Sequence, residues 1–359
     1  MQERLLKAAF IEKGRRKMKA MVLEQFKRPL IWRDARDPEC GPLDIVIRVR
    51  ANGLCATDLK VRDGAVSTVK LPLIPGHEVS GEIVELGESV DGLETGDRVA
   101  VYPSIGCGSC DACRKGVENI CPTAPRTGFE ADGGFSEYMR VLARNAVKVG
   151  DSVPFDQASI IHGALSTGYH ALVKRAKVCV GETVLIVGAG GLGIHLVQIA
   201  KLMGARVLAA DIDPEKLRAA EEFGADIVIN NRERDLEDAV KDLTGGGGVD
   251  VVAECVGGPA VSGVLDDSIA CLKLGGRLVV VGYAYGQPLN IDSAKLIYGQ
   301  WNLIGTHSSA LQDDTDVARL VESGRLKPMV SQRFPLEQAN DALELLSTSS
   351  PIGRMVLTS

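Results

Sequence analysis

Thr183-Val184-Leu185-Ile186-Val187 is an unbroken apolar run, and Gly188-Ala189-Gly190-Gly191-Leu192-Gly193 follows it directly. An apolar-periodic stretch from Leu192 to Met203 comes next, then a second run, Val207–Ala210, ended by Asp211. Strand, glycine turn, helix, strand and acid in that order confine the region to a βαβ unit of a parallel sheet. Gly188 permits the tight turn, Gly190 lets backbone approach a pyrophosphate, and Gly193 lets helix and strand pack closely. The pyrophosphate then faces the free N–H groups and positive dipole of the helix start. Asp211 stands 18 residues beyond Gly193. A carboxylate there accepts the ribose hydroxyls of NAD and repels the 2′-phosphate of NADP, and Lys216 can reach the ribose from the next helix. Asp211-Ile-Asp-Pro is also a good helix start, which leaves capping as the alternative role for Asp211.

The same rhythm continues. Ile227–Ile229, Val249–Ala253, Leu278–Val281 and Leu303–Ile304 are short apolar runs without alternation, as parallel strands covered on both faces require. With helix-like Leu192–Met203 and Pro214–Phe223 between them, they predict a doubly wound sheet. Ahead of it, from Met18 to about Lys148, β-rich runs (Ile45–Val49, Ser80–Glu85, Arg98–Val101) alternate with Gly, Pro and Asp turns and predict a β-dominated domain. Beyond His307, helix-like Thr315–Glu322 and Leu336–Leu346 precede a terminal strand, Met355–Leu357.

A length of 359 residues suits two domains. Net charge −6 with 45% hydrophobic residues excludes a disordered chain and argues against a nucleic-acid partner held by bulk positive charge. The longest uncharged run, Thr183–Ala200, is read as strand, turn and helix rather than a membrane span. No apolar signal-peptide core opens the chain, so a reducing, cytoplasmic setting is expected and disulfides are not. Residues 1–17 carry six Lys or Arg and no Ser or Thr, which reads as a short helical extension or an upstream start site rather than a targeting peptide.

Four of the nine cysteines crowd into Cys107-x2-Cys110-x2-Cys113-x7-Cys121. Clustered thiols in a reducing compartment point to metal, and this spacing lets one loop wrap a tetrahedral zinc in a closed, structural site. A zinc knuckle reading nucleic acid is disfavoured by Asp111, Glu118 and the lack of a basic stripe. Upstream, Gly53-Leu54-Cys55-Ala56-Thr57-Asp58 and Gly76-His77-Glu78 bring a thiol and an imidazole from two loops, a combination suited to an open zinc site. Thr57 is placed to take a proton from an alcohol, and Asp58 to orient His77 through its second ring nitrogen.

Taken in order, Gly-Leu-Cys-Ala-Thr-Asp, Gly-His-Glu, the four-cysteine lobe, Ser166-Thr167-Gly168-Tyr169, the glycine fingerprint and Gly353-Arg354 resemble the zinc-dependent medium-chain alcohol dehydrogenases, from Met18 to the end. The resemblance implies an α/β chain: a GroES-like β-rich catalytic domain from residues 18–163 and 307–359, with its structural zinc lobe at 107–121, and a Rossmann doubly wound parallel-sheet domain at 164–306. It implies NAD-dependent, zinc-assisted oxidation of a primary or secondary alcohol, reversible as carbonyl reduction, with two zinc ions per chain. Cofactor contacts fall to Thr167, Gly188, Gly190, Gly191, Leu192, Gly193, Asp211, Lys216, Val256, Val281, Tyr283 and Arg354. A homo-oligomer, dimer or tetramer, is expected; a membrane or nucleic-acid partner is not.

Two positions depart from the family. A third zinc-ligating Cys, Asp or Glu commonly stands six residues before the Tyr of Ser-Thr-Gly-Tyr, where this chain has Gly163. The expected catalytic ligands are therefore Cys55, His77 and Glu78, with His162 as a substitute for the missing side chain. Lys60 stands where many members carry a proton-passing His. Both departures favour the alternative function, a zinc-free reductase of an enone or enoyl thioester; a polyol or sugar dehydrogenase is the other alternative. His170 and His195 are expected as packing or surface residues, and His307 near the nicotinamide.

Overall fold

A computed structural model describes residues 17–349 and 351–359. The predicted extension therefore lies, but for Lys17, outside the described residues. Six strands form one parallel sheet in the order Ile227–Asn230, Arg206–Asp211, Thr183–Val187, Val249–Glu254, Leu272–Val280, Asn302–Gly305. Every neighbouring pair in it is parallel. The order reverses beside Thr183–Val187, so the crevice at the carboxyl ends of that strand and of Val249–Glu254 is where a ligand binds in such a sheet. The runs lack alternation because both faces are covered: Leu185 and Leu208 pack in one cluster, Ile186 and Val207 in the other.

A second, seven-stranded sheet is built around the long strand Asp44–Leu54, which pairs antiparallel with Glu78–Leu86, Tyr138–Leu142 and Arg354–Thr358. Val330–Pro335 extends it at one edge and Arg98–Val101 with Ala146–Lys148 at the other. The carboxyl-terminal segment thus crosses back to the first half of the chain. That crossing sets the site: it lays Gly53 beside Glu78 on one side and Val356 on the other. A two-stranded ribbon, Met18–Val22 with Ile31–Ala35, completes this half. No helix among the described residues is long and apolar enough to cross a membrane.

Candidate active site

Cys55 ends the Asp44–Leu54 strand and opens the helix Ala56–Arg62. The Cys55 backbone N–H donates to Asp58 Oδ2 at 2.8 Å, so Asp58 caps the helix that carries Thr57. Its other oxygen lies 3.1 Å from His77 Nδ1. An ionised carboxylate only accepts, so Nδ1 carries a proton and Nε2 is the ring nitrogen left to face Cys55. One acid therefore fixes both the thiol-bearing turn and the imidazole, as the sequence suggests.

Cys55, His77 and Glu78 offer ligand atoms that all lie within 4.8 Å of one another. Burial raises the Cys55 thiol, but Arg354 and the hydrogen bond from His77 outweigh it and leave the thiol below its ordinary value. Burial lowers the imidazole of His77, yet Asp58 and Cys55 hold it well above its ordinary value. Thiol and imidazole together thus favour a thiolate, the form a metal takes. The donor set of one sulfur, one nitrogen and one carboxylate fits a zinc with an open fourth position. Thr57 Oγ1 stands 3.5 Å from Cys55 Sγ.

Glu78 is fully buried, with both its oxygens on Arg354 at 3.0–3.2 Å. Two glycines make its seat. A Cβ on Gly163 would lie 1.8 Å from Glu78 Oε1, and one on Gly53 would lie 2.2 Å from Oε2. The space of the family's third ligand is thus filled from the opposite side by the Glu78 carboxylate. Gly163 is room for that acid rather than a vacancy. Sequence reasoning missed this, and the sequence holds no local signal for it, since Gly53, Gly163 and Glu78 come from separate segments.

His162 does not join the group. It lies in the π-helical turn Ile161–Ser166, whose winding carries it away from Gly163, and it faces Asp314 and Ser308 instead, at 2.9 and 3.0 Å. His170 and His195 are both buried packing residues rather than surface ones. His170 Nδ1 meets Asp313 Oδ2 at 2.7 Å, and His195 Nε2 accepts from the Met329 N–H at 3.0 Å. His307 turns to the cysteine lobe, its Nδ1 donating to the Asn119 carbonyl at 2.8 Å.

The glycine turn has the geometry that a pyrophosphate needs. Gly188 has φ +92°, and a Cβ on Gly193 would sit 1.8 Å from the Gly188 carbonyl oxygen. Leu192 precedes the helix Gly193–Leu202. Asp211 is buried and accepts from the Ala189 N–H at 2.8 Å and the Asp213 N–H at 3.0 Å. The helix cap is Asp213, which accepts from Glu215 N–H, so Asp211 braces the turn rather than capping. Lys216 is buried on that helix. A Cβ on Gly191 would meet Arg354 Nη1 at 2.7 Å, so one guanidinium spans from the turn to Glu78, with Cys55 Sγ 3.7 Å away. Gly190 accepts from the Ile194 N–H, and Thr167 Oγ1 from within its own turn donates to the His162 carbonyl.

At the carboxyl end of Val249–Glu254, Glu254 Oε1 accepts from the N–H groups of Val256 and Gly257 at 2.7 and 2.8 Å, and its backbone carbonyl from Val281. Tyr283 reaches across to Lys60: Lys60 Nζ donates to its carbonyl at 3.1 Å and lies 3.2 Å from its ring centroid. Burial lowers the Lys60 ammonium, and Cys55 partly restores it. This contact between the halves was not legible in the sequence.

The four lobe cysteines also bring their sulfurs within 4.8 Å of one another. N–H groups of Ser109 and Cys110 and the Ser109 hydroxyl hold Cys107 down at about 5, whereas burial pushes Cys113 up to about 12. Gly108 and Gly116, at φ +74° and +69°, supply the left-handed turns of the loop. Four converging thiols fit a closed tetrahedral zinc.

With the site in place, the comparisons with known proteins become specific. The family described as alcohol dehydrogenase GroES-like domain matches residues 41–151, and that described as zinc-binding dehydrogenase matches residues 191–323. A NAD-dependent alcohol dehydrogenase of Sulfolobus acidocaldarius is 36% identical, over 95% of this chain and 99% of its own. An acryloyl-coenzyme A reductase of Metallosphaera sedula is 32% identical, over 95% and 100%. The crystal structure of AibC superposes with a TM-score of 0.89 at 34% identity, over 95% of this chain and 96% of that one. The chain belongs to the medium-chain, zinc-type alcohol dehydrogenase family, with a GroES-like domain and a Rossmann-like parallel sheet.

Proposed function

We propose that this oxidoreductase oxidises a primary or secondary alcohol with NAD, reversibly, in the crevice between residues 18–163 with 307–359 and the nucleotide domain 164–306. The observation that carries the reading is the convergence of Cys55, His77 and Glu78 beside the fingerprint turn, joined to it by Arg354. These three would hold a catalytic zinc, and Cys107, Cys110, Cys113 and Cys121 a structural one. Zinc supplies an electrophile that acidifies the substrate hydroxyl, and NAD supplies the hydride acceptor. Asp58 keeps the His77 proton on Nδ1, and Thr57 Oγ1 relays the proton of the substrate hydroxyl, accepting it while passing its own on to water. Asp211 receives the ribose hydroxyls and selects NAD over NADP; Arg354 and the Gly188–Gly193 turn face the pyrophosphate. Val256, Val281 and Tyr283 line the nicotinamide end, which the Lys60–Tyr283 contact spans. A cytoplasmic homo-oligomer is the expected form.

A second reading, reduction of an activated C=C bond without zinc, is favoured by one observation: both Glu78 oxygens face the Arg354 cation. The 32% identical reductase is consistent with it. An alcohol, aldehyde and enone panel followed by NADH absorbance, with NAD and NADP and with or without chelator, separates the two. Chelator-sensitive NADH formation from an alcohol is the expected result. Enone reduction that is indifferent to chelator, with no alcohol turned over, overturns the first reading.

A further inference from the structure

The loop leaving the last parallel strand carries a constellation that the dehydrogenase chemistry does not use. Ser308 Oγ lies 3.0 Å from His162 Nε2, and His162 Nδ1 lies 2.9 Å from Asp314 Oδ2. The other oxygen of Asp314 accepts from Ser309 Oγ at 2.7 Å. Asp314 and His162 are 1% and 4% exposed, while Ser308 is only half-buried. The buried carboxylate accepts, so Nδ1 carries the ring proton and Nε2 is the acceptor for the Ser308 hydroxyl. That is the tautomer a general base needs.

The surroundings hold this arrangement in place. The Tyr102 ring meets His162 edge-on with centroids 5.4 Å apart, and its hydroxyl donates to the Ser309 carbonyl at 2.8 Å. Ser308 has φ +56°, a left-handed backbone that costs a non-glycine residue energy and is often found where a side chain must be presented.

We propose that Ser308, His162 and Asp314 form a serine acyl-transfer site that hydrolyses small carboxylic esters. Ser308 Oγ attacks the acyl carbonyl as His162 Nε2 takes its proton. The carbonyl–oxygen bond to the leaving alcohol then breaks, Nε2 returns the proton to that alcohol, and the acyl group stays on Oγ. Water, deprotonated by the same nitrogen, attacks the acyl ester, releases the carboxylic acid and restores the serine hydroxyl. No metal, nicotinamide or oxidant enters these steps, so the proposal stands or falls apart from the dehydrogenase reading.

The test is acetylation of the full-length protein with p-nitrophenyl acetate, followed by stopped-flow absorbance and peptide mass mapping. Because cysteines also take acetyl groups, neutral hydroxylamine is used to strip thioesters before mapping. A burst of p-nitrophenolate and an acetyl group on Ser308 are expected; Ser308→Ala loses the adduct, and His162→Gln slows acylation roughly 100-fold. Wild-type protein with no acetyl group on Ser308, or an adduct forming equally fast in His162→Gln, overturns the proposal. The wild-type map is decisive even if a variant fails to fold.

Discussion

Replacing Gly163 by alanine puts a methyl group where the Glu78 carboxylate sits. The new Cβ would stand 1.8 Å from Oε1 and 2.4 Å from the carboxyl carbon, far inside the 3.0 Å that real Cβ atoms respect. Both oxygens already sit on Arg354 at 3.0–3.2 Å, so the carboxylate cannot clear the methyl group without leaving that seat. Breaking a buried ion pair in this way costs about 3–5 kcal/mol. At roughly 1.3 °C per kcal/mol for a chain of this length, Gly163→Ala should lower the melting temperature by about 5 °C. Zinc affinity at the Cys55 site should fall at least roughly 10–100-fold, since a donor is displaced rather than merely loosened. Thermal unfolding, together with zinc competition against a chromophoric chelator, measures both. A Gly163→Ala protein that melts with wild type and binds zinc equally well would refute the claim that this glycine makes room for Glu78.

Asp211→Ala removes the acceptor of the Ala189 N–H and the proposed ribose contact; losing charge-assisted bonds of about 1.5–3 kcal/mol should raise the KM for NAD roughly 10–100-fold. Initial rates with both nicotinamides check it, and an unchanged NAD-to-NADP ratio counts against that role. Cys113→Ser should cost about one zinc equivalent per chain from the lobe, read by metal analysis; retention of full zinc would place the ion elsewhere. His195 supplies a pH prediction. Burial holds its imidazole down at about 3, against 6.5 when unconstrained, so between those values the unfolded chain binds the extra proton and stability falls as pH falls. Between pH 7 and pH 5 this amounts to about 2 kcal/mol. Urea midpoints should therefore drop less over that interval in His195→Gln than in wild type; equal drops would sink the assignment.

The parallel sheet was legible because burial on both faces writes itself as continuous apolar runs: five of the six expected runs lie within the strands, and Leu278–Val281 overshoots its strand by one residue. Leu272–Val280 begins earlier than its run, because Lys273–Gly276 interrupt the apolar pattern and bulge from the pairing, which passes from Val249↔Leu272 to Val251↔Arg277. Val330–Pro335 and Ile31–Ala35 left no such trace, being largely exposed strands held by backbone pairing. At the site, Cys55, Asp58, His77 and Glu78 were readable because each is set by contacts near in sequence or by a short motif. The seat of Glu78 was not. It depends on Gly53, Gly163 and Arg354 meeting from three distant segments, and a glycine carries no sign of what fills its missing side chain. His162 was placed near the metal by adjacency in sequence, whereas the winding of its turn carries it to Asp314.

The most direct test of the central claim is a zinc count on purified wild-type protein beside Cys55→Ala. The Cys55–His77–Glu78 group and the cysteine lobe together predict two zinc ions per wild-type chain and one in the variant, with NADH formation from alcohols lost alongside. One zinc in both proteins would contradict a metal centre between the halves and leave the cysteine lobe as the chain's single zinc site.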